Sequence, residues 1–371
     1  MSQRFTWPLN TAAGRWSGFG PYYAMFPVTF AKEMIERYSP EGGSVIDPFC
    51  GRGTVPFVAK ATGRTSFGCD INPVGWIFAS AKTDPCNNPK ELTLRLSEIA
   101  QSVTTEDKEP ENEFQQWAWS PAVLGFLRAA RRNLDWKNSR TDRTLMGFIL
   151  VHLHAKIGNG VSNQMRQSKA MAPDYAVRWW KKRSLSPPDL NPERYFKQRI
   201  EWRYAQGIIQ GPHSDIALGD SYNELDTVEN NQFDLLLTSP PYCGVTNYKY
   251  DNWIRLWLLG APPLPEGGAS QRYGNPTRYS ESLKGIFRKT IKLLAPNGVA
   301  CIRTDTREFT LRTTLQALGE VLPHHTFFAR QENPAKTQTA LYGDSRRKPG
   351  ETDILALTDR SAQPEGFVAL R

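Results

Sequence analysis

Apolar positions 28, 30, 31, 34, 35 and 38 recur at helical spacing and stop before Pro40 and the pair Gly42-Gly43. That spacing predicts a helix over Val28–Tyr38 that ends in a turn. Ser44–Asp47 follows as a short apolar run that ends at a glycine-rich turn, the pattern of a buried strand. Thr54–Ala61 can form a helix because Pro56 falls in its first turn, where no backbone donor is lost. Gly63-Arg64 turns the chain into a second strand, Thr65–Cys69, which ends at Asp70, and Val74–Ala81 is helical again. A strand–loop–helix–strand unit of this kind opens a doubly wound α/β sheet.

The pattern then changes. Asp84-Pro85-Cys86-Asn87-Asn88-Pro89 breaks the chain, a helix follows, and the acidic run Thr105–Glu113 reads as a linker or surface loop. Trp119–Gln210 is mainly helical, strongest over Thr144–Ile157 and interrupted at Ser184–Pro188. Strand character returns at Ile216–Leu218 and Phe233–Leu237, a helix is predicted over Phe287–Leu294, and Val299–Ile302 forms a strand after the turn Pro296-Asn297-Gly298. The chain thus divides into an α/β half over 1–83, a helical insertion over 84–212 and a second α/β half over 213–371.

Composition narrows the function classes. Hydrophobic residues make up 39% of the 371 and no apolar run approaches the ~20 residues of a membrane span. Met1–Asn10 lacks the basic and apolar regions of a secretory leader, so a cytoplasmic, membrane-free protein is expected. The five cysteines (Cys50, Cys69, Cys86, Cys243, Cys301) are scattered, and His152 and His154 have no nearby thiol or carboxylate, so neither a disulfide framework nor a metal site is expected. Pro121–Gln210 holds seventeen Lys or Arg against six Asp or Glu, a local balance of +11 beside +9 for the whole chain. Basic charge gathered in one block suits a polyanion, although a solvated helical surface would look the same.

Two constellations carry chemistry. Asp47-Pro48-Phe49-Cys50-Gly51-Arg52-Gly53-Thr54 lies between a strand and a helix, where its glycines let backbone approach a ligand. Asp70, at the end of the next strand, can accept hydrogen bonds from both ribose hydroxyls of a nucleoside. The run is neither Gly-x-Gly-x-x-Gly nor a Walker loop, so a nucleoside without phosphates fits better, and S-adenosylmethionine is one. The second constellation, Phe233–Leu237 running into Thr238-Ser239-Pro240-Pro241-Tyr242, is a buried strand that enters a stiff polar loop. Its prolines fix φ and remove donors, which leaves the Ser239 and Pro240 carbonyls as preset acceptors. Such acceptors suit an exocyclic amine, whose lone pair is delocalised until both its protons are held. Tyr242 would offer a ring for the base to stack on, roughly 1–3 kcal/mol against the few kcal/mol of flipping it out.

Together these residues resemble the DNA amino-methyltransferases, the enzymes that make N4-methylcytosine and N6-methyladenine. The likeness covers about residues 19–81 and 216–305, with a weaker continuation toward Leu357. It implies a Rossmann-like sheet, S-adenosylmethionine as methyl donor, and a cofactor set of Phe26, Asp47, Pro48, Phe49, Cys50, Gly51, Gly53, Thr54, Asp70, Asn72 and Asp220. Phe26 belongs to Tyr23-Ala24-Met25-Phe26-Pro27, which is similar to the segment over the cofactor's methionine end. Ser239, Pro240, Pro241 and Tyr242 would be catalytic, and Ser239 leans toward cytosine N4 over adenine N6. Here the cofactor half precedes the catalytic half, whereas many members have the reverse order.

Basic and aromatic residues interleave from Asn163 to Arg183, as in surfaces that grip phosphate and stack on bases. Asn163, Gln164, Arg166, Lys169, Arg178, Lys181, Lys182 and Arg183 are the candidate contacts to double-stranded DNA, the amides and Arg166 as base readers. Trp179 and Trp180 could equally be core anchors. A cognate restriction endonuclease or other defence subunit is a possible partner. Methylation of RNA and a non-catalytic DNA-binding subunit are the alternatives.

Overall fold

The computed structural model describes residues 7–22, 26–229, 232–244, 247–265, 274–332, 350–358 and 363–370. Eight strands form one sheet: β1 (Ser44–Asp47), β2 (Thr65–Asp70), β3 (Ser214–Leu218), β4 (Phe233–Thr238), β5 (Leu294–Asp305), β6 (Thr326–Glu332), β7 (Glu351–Leu357) and β8 (Val368–Ala369). Their order is β3-β2-β1-β4-β5-β7-β6-β8. The first five pair in parallel, and β7 enters antiparallel between β5 and β6. This is the expected Rossmann-like α/β sheet. The chain runs outward from β1 to β3, then returns and runs the other way from β4. The switch therefore falls between β1 and β4, whose carboxyl ends open the crevice where ligands bind in such sheets.

β1 and β4 are apolar on both faces, with Val45, Ile46, Leu235, Leu236 and Leu237 all fully buried, as strands covered on both sides must be. The other edge of the core holds charge. Arg303 on β5 forms a two-pronged ion pair with Asp353 on β7 (2.6 and 3.0 Å), and Arg330 on β6 reaches the same carboxylate at 3.2 Å. The register sets these side chains opposite one another, Arg303↔Asp353↔Arg330, and the Phe30 ring lies 3.8 Å from the Arg303 guanidinium.

Between the helix Pro73–Thr83 and β3 the chain makes five α-helices of ten or more residues: Pro89–Gln101, Pro121–Asn133, Arg140–His152, Pro173–Lys182 and Pro192–Tyr204. They are not a separate unit. Phe148 lies 5.2 Å from Phe19 and 6.2 Å from Trp16, so the insertion shares one core with the first half of the sheet. The acidic run read as a linker is docked as well. It forms a turn at Glu106–Lys108 in which Asp107 is buried and paired with Arg132 at 2.6 and 2.9 Å. The predicted helix at 287–294 begins earlier, at Pro276, and ends at Lys292, while Pro296-Asn297-Gly298 is an irregularity inside the longer strand β5. No helix among the described residues is long and apolar enough to cross a membrane.

Candidate active site

The site assembles from four strand ends. Beyond β1 the loop turns at Gly51 (φ +52°) and Gly53 (φ +72°), conformations that disfavour a side chain. Gly53 also lies against the helix Pro73–Thr83, where a Cβ would fall 2.5 Å from that of Ala79. Asp70 then fixes the loop: its Oδ2 accepts from Gly51 N at 2.9 Å and its Oδ1 from Asn72 N at 2.7 Å. Asn72 caps the following helix by accepting from Val74 N, and its amide nitrogen donates to the Tyr22 hydroxyl at 2.8 Å. Asp220 caps a short turn after β3, accepting from Tyr222 N, and the Ser221 hydroxyl donates to the Pro48 carbonyl.

These elements line a cavity open to solvent. Of the predicted cofactor residues, Phe26, Asp47, Pro48, Phe49, Cys50, Gly51, Thr54, Asp70, Asn72 and Asp220 line it, whereas Gly53 stands behind the wall. Tyr23, Ala24 and Met25 lie outside the described residues. Tyr22, Arg52, Ile71 and Ser221 also line the cavity and were not foreseen. Ile71 is half exposed between Asp70 and Asn72, and a lone apolar residue beside an acid was the signal that could have found it.

The cavity is electrostatically unbalanced. Burial pushes the Asp47 carboxyl up to about 7, against hydrogen bonds from Thr238 and Phe49 that lower it, and Asp70 up to about 6. Among the described residues Arg52 is the one cation in the lining; its Nη1 donates to the Gly20 carbonyl at 3.1 Å. Three carboxylates, Asp47, Asp70 and Asp220, against one guanidinium disfavour a polyphosphate. They suit a ligand with ribose hydroxyls, positive groups and a single carboxylate, and S-adenosylmethionine has that charge pattern.

The catalytic loop enters from β4. Thr238 is fully buried and its hydroxyl donates to Asp47 Oδ1 at 2.6 Å, while Phe49 N donates to the same oxygen at 3.1 Å. One carboxylate thus ties the two loops together. Ser239 and Pro241 line the cavity. Pro240 and Tyr242 do not. Tyr242 is only 8% exposed and hydrogen-bonds to the Ser239 side chain, with burial pushing its hydroxyl well above the ordinary tyrosine value. The stacking role expected of Tyr242 is therefore not what this arrangement offers, because its ring is almost wholly buried.

The predicted DNA contacts fall into two groups. Asn163 is fully buried; its amide donates to the Trp117 and Leu185 carbonyls and its Oδ1 accepts from Gln164 N. It is a structural residue and not a base reader, because its hydrogen-bonding capacity is spent inside. Gln164 Oε1 accepts from Ile157 N at 3.0 Å. Arg166, Lys169, Arg178, Lys181, Lys182 and Arg183 are exposed, with Lys181 paired to Glu113 and Arg183 4.4 Å from the Trp179 ring. Trp180 is a core anchor, fully buried. This segment is also strapped to the helices behind the catalytic loop. Lys169 pairs with Asp251 at 2.8 Å, Ala170 N donates to the Asp251 carbonyl, and Trp253 Nε1 donates to the Met171 carbonyl.

The DNA methylase family model, for N6 and N4 methyltransferases, matches residues 5–74, which include the Asp47–Gly53 loop and Asp70. Over that segment the chain is similar to the DNA amino-methyltransferases. The type II methyltransferase M.MvaI of Kocuria varians is 36% identical over 262 residues, covering 64% of this chain and 56% of that protein. M.BsoBI of Geobacillus stearothermophilus is 24% identical over 271 residues, covering 64% and 52%. The chain thus spans about half the length of the curated methyltransferases it matches. A solved rRNA methyltransferase, aviRa of Streptomyces viridochromogenes, superposes over 93% of this chain and 90% of its own at 13% identity, but its TM-score of 0.35 is too low to inform function.

Proposed function

We propose that this chain methylates the exocyclic N4 amine of cytosine in double-stranded DNA, with the base flipped out of the duplex and the basic helical insertion gripping the backbone. The observation that carries the reading is the meeting of the two loops: Ser239 and Pro241 line the same cavity as Asp47 and Asp70, joined through the Thr238–Asp47 hydrogen bond. S-adenosylmethionine, when bound, supplies the methyl group. Asp70 would hold its ribose hydroxyls, and Asp47 would face its positive end. The Ser239 and Pro240 carbonyls would accept both protons of the target amine and turn its lone pair toward the donor, while Tyr242 keeps the loop in place. No residue needs to bond covalently to the base.

Cytosine is favoured over adenine by Ser239 alone. DNA is favoured by the +11 block, by the exposed Arg166, Arg178, Lys182 and Arg183, and by the similarity to type II methyltransferases. A restriction endonuclease of the same recognition sequence would be its natural counterpart. The test is to express this chain alone in methylation-deficient bacteria and analyse DNA nucleosides by mass spectrometry. N4-methylcytosine is expected; N6-methyladenine would correct the base, methylation of tRNA or rRNA with none on DNA would correct the substrate, and no binding of S-adenosylmethionine would remove the enzyme.

A further inference from the structure

The prolines stiffen the middle of the catalytic loop but fix neither end. At its start, Thr238 is held by Asp47. At its finish, Arg307, two residues past β5, donates from Nη2 to the Cys243 carbonyl at 2.9 Å. The guanidinium is itself held: Nε donates to Asp305 Oδ2 at 2.6 Å, Nη2 lies 2.5 Å from the same oxygen, and Arg307 N donates to Asp305 Oδ1 at 3.3 Å. Asp305 is the last residue of β5, buried, and in register with Glu351 on β7. An arginine fork fixed on a sheet carboxylate has little freedom, so the carbonyl it meets is positioned from the sheet.

Immediately beyond this post comes Gly244, at φ +68°, a conformation that disfavours a side chain. Arg307 therefore marks the boundary between the pinned loop and the chain that leaves it. Its side chain is 39% exposed, which argues against a role as core filler.

We propose that Arg307 is a positioning residue for methyl transfer, which acts through Cys243 to hold the acceptor carbonyls of the Ser239–Tyr242 loop against the cofactor cavity. It touches neither the cofactor nor the base. This rests on the amino-methyltransferase reading above. The loop's two ends are then set by different parts of the sheet, one by the cofactor loop through Asp47 and one by β5 through Asp305.

The test uses the full chain, tritiated S-adenosylmethionine and unmethylated double-stranded DNA, with the wild type measured first. A wild type without activity would count against the methyltransferase reading and not against Arg307. With an active wild type, Arg307→Met is expected to lower kcat about ten- to hundredfold, the range spanned by a charge-assisted hydrogen bond. Its Kd for S-adenosylmethionine should stay within about twofold, since nothing in the cavity lining changes. Hydrogen exchange of the Ser239, Tyr242 and Cys243 amides should quicken in Arg307→Met and not in the control Arg312→Met, a local loosening that loss of overall stability would not mimic. Arg307→Lys keeps the charge beside Asp305 without the second arm and should fall between wild type and Met. The proposal is overturned by a folded Met variant with wild-type kcat, by unchanged loop exchange, or by a fall in cofactor affinity that matches the fall in kcat. If the Met variant does not fold, the Lys variant decides: wild-type kcat and wild-type loop exchange would overturn it.

Discussion

Replacing Thr238 by Val removes one hydrogen-bond donor from a fully buried position and keeps the β-branched shape of the side chain. The lost bond, 2.6 Å from hydroxyl to Asp47, goes to the carboxylate that joins the cofactor and catalytic loops. A hydrogen bond to a charged group contributes about 1.5–3 kcal/mol, or roughly 1–2 pKa units. Asp47 already titrates at about 7 with this bond in place, burial being the main cause. Without it the value should move to roughly 8–9, and the ionised fraction near neutral pH should fall from about a half to about 1–10%. If the positive end of S-adenosylmethionine requires the ionised form, its Kd near pH 7 should weaken about 5- to 50-fold and come within about twofold of wild type near pH 9. Titration calorimetry across that range reads it directly. An equal loss at every pH would mean that Thr238 acts through shape alone, and no loss anywhere would mean that Asp47 does not meet the cofactor's charge.

Other consequences can be measured independently. In the free protein Asp47 and Asp70 hold their protons up to about 7 and 6, whereas the unfolded chain releases them at the ordinary carboxylate value, so their contribution to stability falls as pH rises through that interval. A cationic ligand should recover it, and the rise in Tm on adding S-adenosylmethionine should be larger at pH 8 than at pH 5; the reverse order would refute this. Lys82 is buried with no hydrogen-bond partner for Nζ among the described residues, and burial pushes its pKa well below the ordinary value. The unfolded chain takes up a proton that the fold resists, so wild-type stability should climb toward alkaline pH, and Lys82→Met should gain roughly 1–4 kcal/mol near neutral pH with a flatter profile in urea titrations. Asp353→Asn leaves Arg303 with Glu351 alone, at 3.4 Å, and should cost about 3–5 kcal/mol in the same assay. Arg178→Ala with Lys182→Ala should weaken DNA binding and lower the slope of log K against log salt by about 2, without changing cofactor affinity.

The chemistry of the cofactor loop was legible because it is local: an acid at a strand end, glycines in the turn and a second acid after the next strand all lie within 24 residues, Asp47 to Asp70. Burial was not. Asn163 and Tyr242 have side chains that can serve a ligand or the interior, and only the surroundings, the Trp117 and Leu185 carbonyls for one and Ser239 for the other, decide which. The acidic run seemed solvated because its partner Arg132 stands 25 residues away. Strands β6 and β7 lacked a clear apolar pattern for a related reason. Arg330, Glu351 and Asp353 neutralise one another or Arg303 across the sheet, so charged letters occupy interior positions that hydropathy assigns to apolar ones.

Asp47 and Thr238 are 191 residues apart in the chain, yet one hydrogen bond and the neighbouring registers Val45↔Leu235 and Ile46↔Leu236 bring the two loops together. Nothing in that contact depends on which strand is synthesised first. Permuting the gene so that the β4 half leads would leave the pairing intact, and an insertion placed between the halves lengthens the connection without parting them. The reversed motif order of many family members then becomes a matter of wiring, and the quantity that evolution has to conserve is adjacency in the sheet.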